Sequence, residues 1–272
     1  MITLVIAFAA GFSGFGLMHW GFDVGLGWSI FWGFLAFMAA QGGLSYCFMR
    51  KMKADMLQVQ ELVAEGQKAV EAKTRAWQFR PPGSVQEAQR IVQAEIAGAV
   101  RKALAKTGEL AKYKPWVLMV GKQIATAQMH LNWMIKDFKA VDELMPMALL
   151  MDPVSLSMKM ARLYMLDASI EDIEKVYEKA IARTRYNENV LPAAAFSWML
   201  VKRGGEANID KAFKVLGDAL KKSDDPTLKK NHELLMNNRT AQFTNSGLGD
   251  KWYTLHLEEP KVKAQRQRSV YR

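Results

Sequence analysis

The side chains most able to bind a metal or act as a nucleophile are few and far apart in this chain. The histidines are His19, His130, His232 and His256. None has a second histidine, a cysteine or a carboxylate at the spacing that zinc or iron sites require. The single cysteine, Cys47, lies within an apolar stretch that offers no partner base. The sequence therefore predicts neither a metal site nor a disulfide.

Two other patterns match catalytic motifs only in part. Gly247-Leu248-Gly249 resembles part of a phosphate loop, but the third glycine, the Lys-Ser/Thr pair and a preceding strand are missing. Asp172, Glu174 and Glu178 stand among lysines, as on a solvated helix face. We therefore expect no cofactor and no enzymatic activity. An enzyme acting on lipid or cell wall would need a polar cluster that the sequence does not contain.

The N-terminal part of the chain, before any binding surface, is apolar and almost without charge. After the initiator methionine the first charged residue is Asp23, and the next is Arg50. A charge-free stretch of about 18 residues or more can cross a membrane as a helix. Residues 1–49 are therefore predicted to form a transmembrane hairpin, with spans at about 2–20 and 26–48. A cleaved signal peptide is the alternative for the first stretch, although no basic segment precedes it.

The charges that flank the hairpin predict its orientation. The turn between the spans has no lysine or arginine, whereas Arg50, Lys51 and Lys53 follow the second span. Positive residues favour the cytoplasmic side. We therefore expect an integral protein of a cytoplasmic (bacterial inner) membrane, with both termini and the soluble domain in the cytoplasm. The net charge of +10 fits attraction to membrane lipid, and we do not expect nucleic acid as a partner.

Glycines are dense in the hairpin, and small residues let helices approach closely in lipid. The predicted membrane-packing positions are Gly11, Gly14, Gly25 and Gly33. They would pack the hairpin either on itself or on another membrane subunit.

Residues 50–112 are predicted to form a helical arm that is broken at 80–83. Small or apolar residues recur at alternating steps of four and three, at Met52, Met56, Val59, Val63, Gly66 and Val70. This seam predicts either a weak coiled coil or a helix that lies on its own domain. Arg80-Pro81-Pro82-Gly83 ends the helix, and a capping box at Ser84 starts the next one.

Residues 113–240 are predicted to be a helical module with a repeated pattern. A bulky residue precedes a recurring alanine by three positions in the pairs Met145 and Ala148, Tyr177 and Ala180, and Leu216 and Ala219. This spacing resembles the second helix of the tetratricopeptide repeat, whose small residue lets neighbouring helices nest. Pro146, within a predicted helix, and Arg185, where the repeat usually has proline, depart from the pattern. A generic helical bundle is the alternative.

The resemblance implies an all-α fold in which about three helix pairs stack as an α-solenoid, with a capping helix from Pro226. Such arrays bind peptides or helices of protein partners in a concave groove. The residues that the resemblance places in the groove are Trp133, Met158, Arg162, Met165 and Lys202. We therefore expect a membrane-anchored scaffold that binds a protein partner or assembles as a homo-oligomer. The alternative is a structural subunit of a larger membrane enzyme or transport complex, contacted through the hairpin.

Residues 241–272 are predicted to be an extended docking segment and a basic tail. The alternation from Trp252 places Tyr253, Leu255 and Leu257 on one side, which suits docking on the module or on a partner. Residues 261–272 contain five basic residues and no acid. This tail is either solvated or in contact with anionic lipid or RNA.

Overall fold

The computed structural model describes residues 2–117, 119–182 and 184–260, and every regular element in this part of the chain is helical. The chain divides into two compact units, unit 1 (Met1–Leu149) and unit 2 (Leu150–Arg272). The main helices of unit 1 are α1 (Ile2–Gly16), α2 (Leu26–Ala76), α3 (Val85–Glu109), α4 (Val120–Met134) and α5 (Phe138–Leu144). Those of unit 2 are α6 (Pro153–Met165), α7 (Ile170–Ile181), α8 (Val190–Arg203), α9 (Glu206–Leu220), α10 (Pro226–Met236) and α11 (Asp250–Tyr253). The all-α prediction is confirmed.

The first two helices form an antiparallel hairpin with close backbone contact. A Cβ added at Gly33 would lie 2.9 Å from the carbonyl oxygen of Gly11, and one added at Gly14 would lie 2.9 Å from Cβ of Ala36. These three glycines lie where the hairpin packs on itself. Gly25 differs, because a Cβ there would have nothing within 4 Å.

Both N-terminal helices are long and apolar enough to cross a membrane. Only 11% and 6% of their apolar windows are buried within the protein, so most of these side chains face outward. An apolar surface of this kind is typical of a contact with lipid or with another protein.

Helix α2 continues without a break from the predicted second span into the arm, as the sequence predicts. Its seam faces α3 of the same unit, where Val59 packs in a buried cluster with Val100. A Cβ at Gly66 would overlap with that of Ala99 on α3. The apolar seam of α2 therefore packs on α3 of the same chain. This agrees with the prediction of a helix that lies on its own domain. The Ser84 hydroxyl caps α3, which confirms the predicted start.

In unit 2, α6 packs on α7 and α8, α8 on α9, and α9 on α10. Local signals set where the helices begin. The carboxylates of Asp152 and Asp225 and the hydroxyl of Ser169 accept hydrogen bonds from first-turn N–H groups of α6, α10 and α7. Ala180 and Ala219, the small residues of the repeated pattern, are buried. The predicted helix at Pro226 is present.

Two local features differ from the prediction. Helix α5 ends at Leu144, so residues 145–148 form turns rather than helix. Pro146 accounts for this, since proline has no N–H to donate to the carbonyl oxygen of Asp142 and its ring would clash with that carbonyl in a continued helix. The segment predicted to be extended begins instead as the short helix α11. Trp252 and Leu255, three positions apart, both point into the core and are fully buried.

The predicted domain ranges and the two compact units do not coincide. The range 113–240 includes α4 and α5, which belong to unit 1, as well as most of unit 2. The predicted basic tail, residues 261–272, lies outside the described residues.

Candidate protein-binding surface

Helices α6 and α8 of unit 2 carry four of the five predicted groove residues. Met158 is buried, Arg162 and Met165 are half-buried, and Lys202 is exposed. The last three therefore have side-chain area that a partner could contact. Met158 is used mainly in packing.

The fifth predicted residue, Trp133, lies in α4 of unit 1. Its side chain is only 1% exposed, and its ring meets that of Phe138 edge-on with centroids 5.4 Å apart. In this structure Trp133 belongs to the core of unit 1. Its role in partner binding stays a prediction, and it would require that core to open.

Near the C-terminal ends of α6 and α8, Tyr164 and Trp198 meet, and the chain's own residues 252–258 lie against Trp198. We call this region the closed end. The Trp198 ring of α8 lies edge-on to Trp252 at 5.6 Å and to Tyr164 at 5.5 Å between centroids. Lys202 Nζ lies 5.3 Å from the Trp198 ring, and the Arg203 guanidinium lies 5.5 Å from the Tyr164 ring. Edge-on aromatic and cation–π contacts stabilise this cluster.

Glu258 joins the covering segment to the aromatic cluster. Its Oε1 accepts a hydrogen bond from Trp198 Nε1 at 2.9 Å, and its Oε2 accepts one from Trp252 Nε1 at 2.8 Å. A carboxylate acceptor makes stronger hydrogen bonds than a neutral one. The closed end is therefore an internal contact in which both oxygens of the carboxylate are engaged.

Two buried asparagines hold the chain that leads to the closed end. Asn231 Nδ2 donates to Asn245 Oδ1 at 2.8 Å, and Asn245 Nδ2 donates to the Ala194 carbonyl oxygen of α8 at 2.8 Å. Both side chains have no exposed area. Because a buried amide without partners is costly, this network fixes the covering segment on α8 and α10.

The opposite, N-terminal ends of α6, α8 and α10 line a cavity of about 940 Å³, which we call the open groove. Its apolar lining includes Pro153, Val154, Val190, Leu191, Pro226 and Leu248. Its carboxylates are Asp152, Glu188, Asp224, Asp225 and Asp250, and Lys251 also lines it.

Several of these carboxylates have structural partners. Asp152 and Asp225 cap helices, Glu188 accepts a backbone N–H, and Asp224 pairs with Lys229, whose pKa it raises. The positive ends of the helix dipoles offset part of the negative charge. The remaining excess, beside apolar walls, suits lysine or arginine side chains, whose stems are apolar and whose heads are cationic.

Tyr177 is the phenol whose pKa departs most clearly from its usual value in the part of unit 2 that the structure describes. Burial, together with the negative charge of Asp218, raises the pKa of Tyr177 to about 12, so this phenol stays protonated at neutral pH. Among the described residues, no group of three or more histidine, cysteine or carboxylate side chains could hold a metal ion. The open groove presents carboxylates beside apolar side chains.

The sequence reasoning did not single out the open groove, although a signal for it exists. An Asp-Pro pair occurs at residues 152–153 and again at 225–226. Each pair forms the capped N-terminus of a helix, and both N-termini line the groove. Glu258 has no comparable signal, because a single glutamate near a chain end has no distinctive pattern.

No protein-family model, no curated protein and no solved structure matches this chain. Beyond the all-helical fold, the tetratricopeptide resemblance therefore rests on the residues given above and stays a prediction.

Proposed function

We propose that this chain is a non-enzymatic, membrane-anchored scaffold that binds a basic segment of a protein partner at the cytoplasmic face of a membrane. The observation that carries the proposal is the open groove, where the starts of α6, α8, α10 and α11 present five carboxylates beside apolar walls. A partner segment with several lysines or arginines would match this distribution.

The spread of the carboxylates favours an extended ligand over a small molecule. Asp152 lies at α6, Glu188 at α8, Asp225 at α10 and Asp250 at α11, so the charges belong to different elements and do not converge on one atom. Small-molecule sites usually have a few polar groups that converge within an apolar pocket. A peptide can place successive side chains against successive helix ends.

The packing order of unit 2 supports a tetratricopeptide-like arrangement as part of this proposal. Each helix pair packs on the next, from α6 and α7 through α8 and α9 to α10. Two of the three alanines of the repeated pattern, Ala180 and Ala219, are buried as nesting of second helices requires, whereas Ala148 lies outside any helix. Arrays of this kind bind protein segments.

The anchor in this proposal is the hairpin, oriented by its flanking charges. Its first residues are hydrogen-bonded to unit 1, because Ile2 N donates to the Pro115 carbonyl oxygen at 2.9 Å and Thr3 Oγ1 donates to that of Trp116 at 2.9 Å. The hairpin is thus built into unit 1, and removing it would also disturb the rest of the unit. Tests of the proposal therefore use the full chain with point substitutions.

Affinity purification of the full chain from gently solubilised membranes tests the proposal. We expect a stoichiometric protein partner. Its affinity should fall by roughly tenfold in the double variant Asp224→Asn with Asp250→Asn, because two favourable charge pairs of about 0.5–1 kcal/mol each are lost. The matched control is Asp218→Asn with Glu206→Gln, which removes two exposed acids of unit 2 outside the groove. Recovery of monomers alone, or equal loss in both variants, would overturn the proposal.

A second candidate function is that of an accessory subunit held in a membrane complex by its hairpin. The observation that favours it is a set of glycines without close neighbours, since a Cβ at Gly27, Gly42 or Gly43 would meet nothing within 4 Å. Such positions can accept another membrane helix. If this candidate is right, Gly42→Leu with Gly43→Leu should abolish assembly while the groove variant assembles normally. A homo-oligomer would be recognised by the copy number of the purified complex.

A further inference from the structure

The turn at residues 115–116 lies beside the start of α1 and the end of the apolar part of α2. Besides the two hydrogen bonds from Ile2 and Thr3, the Trp116 ring stacks on the ring of Phe48, with centroids 4.5 Å apart and planes 18° apart. Residues 2–3 begin the first predicted span, and Phe48 ends the second. Three independent contacts therefore place residues 115–116 beside the ends of both predicted spans that lie away from the hairpin turn.

Basic side chains surround this level on both elements. Arg50, Lys51 and Lys53 follow the second span on α2, Lys114 precedes Trp116, and all four are exposed. The nearby acid, Asp55, does not cancel them. Its carboxylate accepts a hydrogen bond from Tyr113 and pairs with Lys112 at 2.8 Å, which holds the pKa of Asp55 below its usual range.

Apolar side chains of the same turn face outward beside these cations. Trp116 is half-buried, and Met119 has 45% of its surface exposed. Met119 also adopts a left-handed backbone conformation, with φ of 64°, which is uncommon for a residue with a side chain. The chain turns into α4 at this point and leaves the Met119 side chain at the surface.

We infer that these six residues form a collar that binds the surface of a bilayer containing anionic phospholipid: Arg50, Lys51, Lys53, Lys114, Trp116 and Met119. Tryptophan settles at the level of the headgroups, and lysine and arginine are attracted to anionic lipid there. The inference rests on the membrane anchoring in the proposed function. It adds that unit 1 itself contacts the lipid through a turn that follows the arm.

The pairing of Asp55 supports this assignment over a general basic patch. Lys112 and Tyr113 fix the start of the turn on α2, and Met52 packs in a buried cluster with Leu110 and Tyr113 just below it. The turn is therefore held in place by packing on α2. A collar fixed at the span ends can contact lipid without ordering a flexible segment first.

Site-specific fluorescence in vesicles tests the inference with the full chain. In a Cys47→Ala background, single cysteines replace Met119 in the collar, Phe34 in the second span and Met236 in unit 2, and each carries an environment-sensitive dye. All three side chains are exposed. Phospholipids spin-labelled at the headgroup or in the acyl chain then act as quenchers in vesicles of phosphatidylcholine with increasing phosphatidylglycerol.

We expect the headgroup label to quench the dye at position 119, the acyl-chain label to quench the dye at 34, and neither to quench the dye at 236. Quenching at 34 without quenching at 119 would overturn the collar and leave the anchoring intact. An absence of quenching at both positions would overturn the anchoring and the collar together.

Charge reversal tests the preference for anionic lipid. Lys53→Glu with Lys114→Glu should raise the phosphatidylglycerol fraction needed for half-maximal quenching at position 119 by roughly fivefold or more. The matched control, Lys68→Glu with Lys102→Glu, reverses two exposed lysines of the same unit. Lys68 lies about 22 Å further along α2 than Lys53. Equal half-maximal fractions for both variants, or no dependence on phosphatidylglycerol, would contradict the inference.

Discussion

In unit 2, the N-terminal and C-terminal ends of helices α6 and α8 have different surroundings. At the closed end, residues 252–258 lie on α8 and bring Trp252 and Glu258 to Trp198. At the open groove, the starts of the same helices carry carboxylates and apolar side chains that border a cavity of about 940 Å³. The same helix stack thus supports a structural contact at one end and a free surface at the other. The closed end should determine stability, and the open groove should determine binding.

The largest expected effect is at the closed end. Trp252→Ala removes a fully buried indole and should lower the free energy of unfolding of unit 2 by about 3–5 kcal/mol, because a large cavity is left and a hydrogen bond to Glu258 is lost. Thermal unfolding of the purified full chain, followed by circular dichroism, measures the change. Tyr186→Ala, at a side chain that is 68% exposed, is the control and should have little effect. Similar melting of both variants would mean that the closed end is not structural.

A smaller loss is expected where the covering segment is fastened. Asn245→Ala deletes the acceptor for Asn231 and the donor to the Ala194 carbonyl oxygen, and the partners remain buried. The expected cost is about 1–3 kcal/mol, measured by denaturant unfolding. Asn237→Ala is the control, since that side chain is exposed and its Nδ2 donates only a local hydrogen bond, to the Glu233 carbonyl oxygen. An equal cost for the two variants would show that the buried network does not fasten the segment.

How far the sequence predicts this molecule depends on the distance between the residues involved. The apolar helices, the capping box at Ser84 and the helix start at Pro226 follow from neighbouring residues, and each is present. The closed end could not be predicted in this way. It joins Trp198 to Glu258, 60 positions apart, and Ala194 to Asn245, 51 positions apart.

Tertiary packing also changed the local prediction for the last segment. The alternation after Trp252 favours an extended chain, but burying Trp252 and Leu255 together requires a helical spacing of three. The predicted groove residue Met158 illustrates the same limit. The repeat pattern predicted that it lies in a helix but did not predict that its side chain is buried. The open groove depends on where separate helix starts meet, which no single stretch of sequence specifies.

The contrast between a covered and an open position recurs in unit 1. Gly66→Ala should destabilise the chain by about 1–3 kcal/mol, because the added Cβ overlaps with that of Ala99 on α3. Gly98 lies on α3, and a Cβ added there would have nothing within 4 Å. Gly98→Ala should therefore stabilise α3 by about 0.5–1 kcal/mol. Unfolding of the two variants under the same conditions compares them directly. Equal shifts would mean that α2 and α3 do not pack through this glycine.

The smallest effect on stability is expected at the open groove. Asp224→Asn with Asp250→Asn should change the free energy of unfolding by less than about 0.5 kcal/mol, because neither side chain caps a main helix of unit 2 and the pair with Lys229 is exposed. The same melts used for Trp252→Ala measure this. A large loss of stability would show that the groove carboxylates are structural, and reduced partner binding could then not be assigned to lost contacts.

Photo-crosslinking in intact membranes of the native cell tests the central claim most directly. A photoreactive residue replaces Val154 at the start of α6, in the open groove, or Leu166 just after α6, outside the groove; both side chains are exposed. The account predicts a crosslink to a protein partner from position 154, not from 166, and its loss in the Asp224→Asn, Asp250→Asn background. Equal crosslinking at both positions, or a crosslink at 154 that survives this neutralisation, would contradict it.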